Sequence, residues 1–294
     1  MTTKLSCSIP LPVTFRPRDI LDFHRRDPLE MSERVTDCTL QKGIVWKDRP
    51  ASLSIAFQND QVEAELVIEE KACNHSQSDF QAMIHRMLGL DQEIDAFERR
   101  YCDHPQLGAL IARQQGLRVP VSATPFEALT WAVTGQQISV GAAVSLRRKL
   151  ITAAGVCHSN GLVCYPDAHR ISGLNEDILR QAGFSMAKAR TLLTVSKLVS
   201  DNSLPLETWT RTIPVSEIQE RLEAVRGIGP WTISYTLLRG FGWLDGSLHG
   251  DAAVRRGLQT ALKSPATMSE EQVKSWLAEF SPWRALVAAH LWAV

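Results

Sequence analysis

The chain has 294 residues, 44% of them hydrophobic, enough for one large or two ordinary domains with buried cores and too apolar on average for a disordered polymer. Lys and Arg number 32 and so do Asp and Glu, so the formal net charge is zero; a polycationic nucleic-acid coat is excluded and any contact with DNA must be local. The six cysteines at 7, 38, 73, 102, 157 and 164 form no C-x-x-C pair and lack the spacing of an iron–sulfur loop, so all six are expected to be reduced structural thiols. The first residues lack the apolar stretch of an export signal and no run of eighteen apolar residues occurs, so a cytosolic protein without membrane contact is expected.

From Lys4 to about Ile68 the pattern is β-rich, with runs at Thr39–Trp46, Ala51–Phe57 and Gln61–Ile68 and an Asn59-Asp60 turn between the last two. Helical periodicity covers Arg18–Arg26, Ser78–Leu88 and Ile94–Tyr101. The first region, residues 1–105, therefore reads as an antiparallel sheet with helices. Gly116 to Pro120 reads as an extended crossing segment, because Val119 precedes a proline and is pushed out of helical geometry.

Beyond it only helices are expected. Thr124-Pro125-Phe126-Glu127 offers an N-cap, a proline at the first helical position and a capping-box glutamate, for a helix running to about Thr134. Ser139 caps a helix from Val140 to about Ala153, and Ser216-x-x-Gln219 and Ser269-x-x-Gln272 repeat the capping pattern ahead of helices 217–225 and 270–280. The fold class is α+β: a small antiparallel sheet domain, then an all-α domain over residues 106–294.

In Leu222 to Tyr235 one amphipathic helix runs into Gly227-Ile228-Gly229 and a second begins at once, a helix-hairpin-helix. Gly227 and Gly229 are read as residues that take positive φ and bring bare backbone close to a ligand, with Ile228 plugging the space between the helices. The second helix would present free N–H groups and its positive dipole end to a phosphate, although Gly-x-Gly alone can also be a plain tight connection between packed helices. Arg147-Arg148-Lys149, Lys188 with Arg190, and Arg255-Arg256 each read singly as a solvated helix face, and as a set as a source of salt-dependent DNA affinity.

The segment Gly227 to Asp251, together with Gly135-Gln136-Gln137-Ile138-Ser139, resembles the helix-hairpin-helix DNA glycosylase superfamily, specifically the bacterial 3-methyladenine DNA glycosylase II (AlkA-type) family. The resemblance extends over the whole chain, with the sheet region matching in pattern only. It implies Asp251 as the catalytic carboxylate, Trp231, Tyr235 and Trp292 as aromatic walls of a base pocket, and the Gln136-Gln137 loop as the part entering the gap left by a flipped base. It also implies a double-stranded DNA partner containing damaged bases, action as a monomer, no catalytic metal or cofactor, and at most a structural monovalent cation held by hairpin carbonyls. The chain departs from the family pattern at Ser247-Leu248-His249-Gly250, which lacks a proline, and at Ala252, where an aromatic residue stands in the best-known member.

The chemistry is consistent with one carboxylate. Breaking an N-glycosidic bond builds positive charge on the sugar, which a fixed carboxylate stabilises, and an N3- or N7-alkylated purine is already cationic and leaves without a general acid. Asp251 also suits the plain role of helix N-cap ahead of the pattern Ala252–Leu262, and the two roles are compatible. Trp231 stands where relatives with strand-cutting activity resemble one another in carrying a lysine, so a monofunctional enzyme without a Schiff-base step is expected. Two other readings stay open: a glycosylase for another lesion or mismatch, and a nonenzymatic module that binds DNA through its hairpin.

Overall fold

The computed structural model describes residues 2–69 and 76–293. Cys73 lies outside the described residues; the other five cysteines are free thiols, and Cys164, buried beside the Ala51 carbonyl, has its thiol pushed up to about 11.

Strand β1 (Thr3–Pro10) and helix α1 (Pro17–His24) precede strands β2 (Glu33–Val35), β3 (Thr39–Trp46), β4 (Arg49–Gln58) and β5 (Gln61–Ile68). The sheet is antiparallel throughout, in the order β1-β5-β4-β3-β2. Two tight turns set its register: Gln58 pairs with Gln61 across Asn59-Asp60, and Trp46 pairs with Arg49 across Lys47 and Asp48, both with positive φ, the pair that matches strand twist. One apolar face, with Leu40, Leu53, Ile55, Leu66 and Ile68, packs against Phe80 and Ile84 of helix α2 (Gln77–Met87) and Ile20 and Leu21 of α1. Helix α3 (Ile94–Tyr101) turns elsewhere; its Ile94 and Phe97 pack with residues near the end of the chain.

The remainder is helical: α4 (Gly108–Arg113), α5 (Pro125–Gly135), α6 (Val140–Ala154), α7 (Ala168–Ser172), α8 (Glu176–Gln181), α9 (Met186–Ser200), α10 (Leu206–Trp209), α11 (Val215–Glu223), α12 (Pro230–Phe241), α13 (Ala252–Ala261), α14 (Glu270–Ala278) and α15 (Arg284–Trp292). One apolar core gathers α5 to α12, and a second gathers α3, α4 and α13 to α15. Helix α12 touches both, with Leu237 in the first and Leu238 in the second.

Several starts follow from their caps. Thr124, Ser139 and Asp251 each accept a backbone N–H of the following turn, and Ser269 with Gln272 closes a full capping box. Two expected caps differ. Helix α11 starts at Val215 after Pro214 with no side-chain cap, because the proline already presets the first turn and Ser216 falls inside the helix. Glu127 does not reach back to Thr124; its carboxylate is drawn into a buried cluster of charges.

That cluster joins sheet to helices. Lys42, fully buried on β3, donates to Glu33 and, at 2.7 Å, to Glu127. Arg147 on α6 donates to Glu127 Oε1 at 2.9 Å and to Ser32, and lies 3.3 Å from Glu33. His24 on α1 completes the group through Glu33, at 2.8 Å. Arg147 is therefore no solvated face. Burial alone would raise both carboxyls, yet Arg147 and Lys42 hold Glu33 well below its usual range and Lys42 and Arg147 hold Glu127 below its own.

Removing one member strands its partners in a low-dielectric site. Lys42→Met is expected to lower unfolding free energy by about 3–5 kcal/mol, whereas Lys47→Met, which breaks a half-exposed pair with Asp79, is expected to cost about 1 kcal/mol or less. Urea denaturation of both variants checks the contrast.

His290 gives the fold an acid sensitivity. Buried on α15, with Nδ1 2.8 Å from Gln114 Oε1, its imidazole is pushed down to about 4 by burial, with Arg16 adding to the effect. Between about pH 6.5 and 4 the unfolded chain binds this proton and the folded chain does not, so stability is lost as pH falls through that window. His290→Gln is expected to flatten the difference in denaturation midpoint between pH 7 and pH 5 relative to the parent.

Candidate DNA interface and carboxylate site

The hairpin forms where the glycines stand, with a different division of labour from the one expected. Gly227 alone has positive φ, at +94°, and a Cβ there would sit 2.2 Å from Thr191 Oγ1, the hydroxyl that donates to the Arg226 carbonyl at 3.0 Å. Gly229 has ordinary extended backbone, φ −113° and ψ 177°, and serves as N-cap of α12. A Cβ on Gly229 would meet nothing within 4 Å, so its bareness leaves open space in front of the first turn. Ile228 is buried between the helices, as the plug reading requires. Pro230 has no N–H to leave unpaired, the Ile233 N–H bonds the Gly229 carbonyl at 3.1 Å, and Gly227 just before this turn is exposed.

Helix α12 carries a stripe at four-residue spacing: Trp231, Tyr235 and Arg239. The Trp231 and Tyr235 rings lie 5.2 Å apart, and Tyr235 and Trp292 lie 6.5 Å apart. Asp251 joins this aromatic group through two of its indole N–H groups. Its Oδ1 accepts the N–H groups of Ala253 (2.8 Å) and Val254 (3.1 Å) and the Trp292 indole (3.3 Å). Its Oδ2 accepts only the Trp231 indole, at 3.1 Å. One oxygen therefore starts a helix, while the other keeps a lone pair directed away from the cap.

Three local features hold Asp251 there. The Asp251 N–H closes a turn onto the Leu248 carbonyl at 2.9 Å, and Leu248 is fully buried, which anchors the loop without the family's proline. Asp245 pairs with Arg284 through two short contacts, 2.7 and 3.0 Å, tying the start of α15 to the same loop. Gly257 on α13 lets α15 come close: a Cβ there would lie 2.1 Å from the Leu291 carbonyl, one residue before Trp292.

The Gln136-Gln137 loop joins this assembly from α5. Gln136 Nε2 donates to the Gly227 carbonyl and to Thr232 Oγ1, both at 2.9 Å. Gln137, by contrast, is exposed and has a positive φ of +56°. Lys188 is no free cation: its Nζ donates to the Thr134 and Gln136 carbonyls at 2.8 and 2.7 Å, so it caps the end of α5. The structure thus joins Gln136 to Gly227 and to Thr232 of α12, and joins Trp231, Tyr235 and Trp292 to Asp251, with Gln137 exposed beside Gln136.

Arg239 links the aromatic group to two further side chains, Phe23 and, through it, Arg26. The Arg239 guanidinium lies 5.1 Å from the Trp292 ring centre and 4.7 Å from that of Phe23, and burial lowers its proton affinity. Phe23 on α1 is covered in turn by Arg26 at 4.0 Å, which also lies 4.7 Å from Trp131. The four-residue spacing from Trp231 could have pointed to Arg239. Phe23 and Arg26 had no local signal, since only the docking of the sheet region brings them here. A cavity of about 1340 Å³ lies elsewhere, between the sheet and helices α2, α7 and α10, and is lined by none of the residues around Asp251.

An all-helical body carrying a glycine-turned hairpin, with an aromatic stripe on the second helix aimed at a capping aspartate, defines a helix-hairpin-helix protein. The chain belongs to the HhH-GPD superfamily of base excision DNA repair proteins, whose family model matches residues 130–282. It is 27% identical over 190 residues to DNA-3-methyladenine glycosylase 2 of Escherichia coli, covering 63% of each chain, and 28% identical over 218 residues to DNA-3-methyladenine glycosylase of Bacillus subtilis, covering 72% of this chain and 70% of that one. In fold it is similar to the 3-methyladenine DNA-glycosylase from Archaeoglobus fulgidus, with TM-score 0.80, 22% identity and 97% of both chains covered. It is also similar to the Clostridium acetobutylicum 8-oxoguanine glycosylase/lyase in complex with double-stranded DNA, with TM-score 0.72, 15% identity, and 99% of this chain and 96% of that one covered.

The close approach at Gly257 yields a stability prediction that also reads the site. Gly257→Ala must move α15 or α13 by more than side-chain adjustment allows, so a loss of about 1–3 kcal/mol is expected. It should be accompanied by a change in tryptophan fluorescence as Trp292 leaves Asp251; an unchanged spectrum at full stability would show that the packing yields without moving the indole.

Proposed function

We propose that the chain is a monofunctional DNA glycosylase of base excision repair that draws an alkylated purine such as 3-methyladenine out of duplex DNA and hydrolyses its N-glycosidic bond. The observation that carries this reading is the two-sided use of Asp251: Oδ1 is consumed by the helix cap and one indole, and Oδ2 is left beside an aromatic group. Relatives named 3-methyladenine glycosylases support the substrate class. A carboxylate at that point stabilises positive charge developing at C1′ and can accept a proton from the attacking water.

Trp231, Tyr235 and Trp292 would wall the base pocket, with Phe23 as a fourth ring supplied by the sheet region. Electron-rich rings attract a cationic flipped base, an effect of about 0.5–2 kcal/mol, and a damaged pair costs less to open than an intact one. The hairpin would take a phosphate at the open backbone of Gly227 and Gly229, and a monomer on double-stranded DNA suffices. Gln136 would act by holding the hairpin, and Gln137 by entering the gap and hydrogen-bonding the orphaned base.

No helix among the described residues is long and apolar enough to cross a membrane, in keeping with a protein acting on DNA in the cytosol. The reaction as proposed needs no metal. Carbonyls of Val225, Arg226 and Gly227 each accept one hydrogen bond and keep a second lone pair, a neutral oxygen set that fits a monovalent cation. Such an ion would add positive charge near a bound phosphate and no chemistry.

Absence of strand cleavage is proposed on position 231, where an indole cannot form the Schiff base that an amine would. The test is release of methylpurines from methylated duplex DNA by the purified protein and by Asp251→Asn, which keeps the Oδ1 cap and loses the charge. Wild type is expected to release base and leave strands intact until alkali is added; the variant is expected to be slower by about 10²-fold or more at unchanged melting temperature. Release at the parental rate by the variant removes Asp251 from the mechanism. A covalent adduct trapped by borohydride removes the monofunctional assignment, and DNA binding without release from any lesion leaves a binding module.

A further inference from the structure

The cavity of about 1340 Å³ between the sheet and helices α2, α7 and α10 holds two opposite charges that the rest of the molecule leaves unmatched. Arg86 of α2 donates one N–H to the Ala123 carbonyl at 2.8 Å, and its Nε is buried with no acceptor. Glu207 of α10 lines the same space and is exposed to it, and its carboxylate has no hydrogen bond or ion pair among the described residues. Protein packed around this open side chain pushes its carboxyl up, and burial pushes the Arg86 guanidinium down. Each is the leading counter-charge of the other, yet the two do not meet in an ion pair. Half-buried Trp46, which also lines the cavity, buries its indole N–H without an acceptor. Polar groups held this way cost free energy until a partner arrives.

The outer lining adds positive charge. Lys47 and Arg211 share the Asp79 carboxylate, at 3.0 and 3.4 Å, two cations on one anion. Asp79 and Arg86 are seven residues apart on α2, two turns, so they lie on one side of the helix about 10 Å from each other. The cavity also sits away from the proposed DNA surface. Thr124 begins α5, Ser200 ends α9 and Gly242 follows α12, and all three line it; Gln136, Ser185 and Gly229 stand at the opposite ends of the same helices. The fifteen residues of α9 alone span about 22 Å. An occupant of the cavity and a duplex on the hairpin therefore do not compete for space.

We propose that this cavity binds a guanine nucleotide, with the base between Arg86 and Glu207 and the phosphate toward Lys47 and Arg211. The donor and acceptor pattern selects the base. Guanine offers O6 and N7 as adjacent acceptors, the pair that a guanidinium meets best. On its other edge N1–H and N2–H are adjacent donors, which one carboxylate accepts with both oxygens. Adenine offers a carboxylate only its amino group. The Trp46 ring gives a flat base something to lie against, and the cations around Asp79 suit a phosphate. The inference stands apart from the glycosylase reading, since neither Arg86 nor Glu207 belongs to the Asp251 site or the hairpin.

Isothermal titration of the full chain with GMP, guanosine, AMP and inorganic phosphate tests it. GMP is expected to bind at least about tenfold more tightly than AMP, a difference of about 1.4 kcal/mol. Glu207→Gln is expected to lose that preference while keeping the parental melting temperature, which separates a lost contact from a lost fold. Exposed Arg211, replaced in Arg211→Gln, should matter for GMP and not for guanosine. A duplex carrying a tetrahydrofuran abasic site, added to saturation, should leave GMP binding unchanged. No binding of GMP by the parent chain overturns the proposal, as does equal binding of GMP and AMP or of GMP and inorganic phosphate. Displacement of GMP by the abasic duplex also overturns it, because the nucleotide would then occupy the base pocket, and so does parental GMP binding by Glu207→Gln.

Discussion

Glu127 is the residue on which the arrangement of this molecule turns. Its carboxylate, buried near the start of α5, satisfies Lys42 from the sheet and Arg147 from α6 at once. Buried charges tolerate little displacement, because each ångström lost between partners is lost in a medium that screens weakly. The cluster therefore fixes the sheet region against α5 and α6, and everything at the far end of α5 inherits that placement: the Lys188 cap, the grip of Gln136 on the hairpin, and the exposed Gln137. It also seats α1, whose Phe23 meets Arg239 one residue before His24 enters the cluster.

The carboxylate site follows a similar logic in reverse, with short-range packing in place of charge. Leu248 buried below its loop, Asp245 clamped by Arg284 and the bare surface of Gly257 bring two indole N–H groups onto Asp251. These contacts position the acid from three different elements, α12, α13 and α15. The sheet region adds Phe23, across the Arg239 guanidinium from Trp292. The proposed pocket would thus be bounded by both ends of the chain, and its size would depend on how they dock.

Much of this was legible in the residues. Alternation and turn chemistry placed the three central strands; caps at Thr124, Ser139, Asp251 and Ser269 placed helix starts; and the hairpin was readable because Gly227 has both a backbone and a packing reason to be glycine. What escaped was non-local. Glu127 read as a capping-box residue because its local pattern is one, while its real partners lie on β3 and α6. Lys188 and Arg147 read as surface cations because helix periodicity cannot see carbonyls or carboxylates from other elements. Gly229 read as a positive-φ residue, whereas its value is an absent side chain. Phe23 and Arg26 carried no pattern linking them to a site more than two hundred residues away in sequence.

The divided carboxylate of Asp251 bears on how such a protein can change over time. A side chain that both starts a helix and faces solvent with a charge can lose the second property while keeping the first, since asparagine caps a helix as well as aspartate does. The fold, the hairpin and the aromatic group would persist. On the proposed mechanism, a single substitution would thus separate gripping a distorted duplex from cutting a bond in it. A descendant carrying that substitution would hold the site for other proteins to read, with no rebuilding of its core.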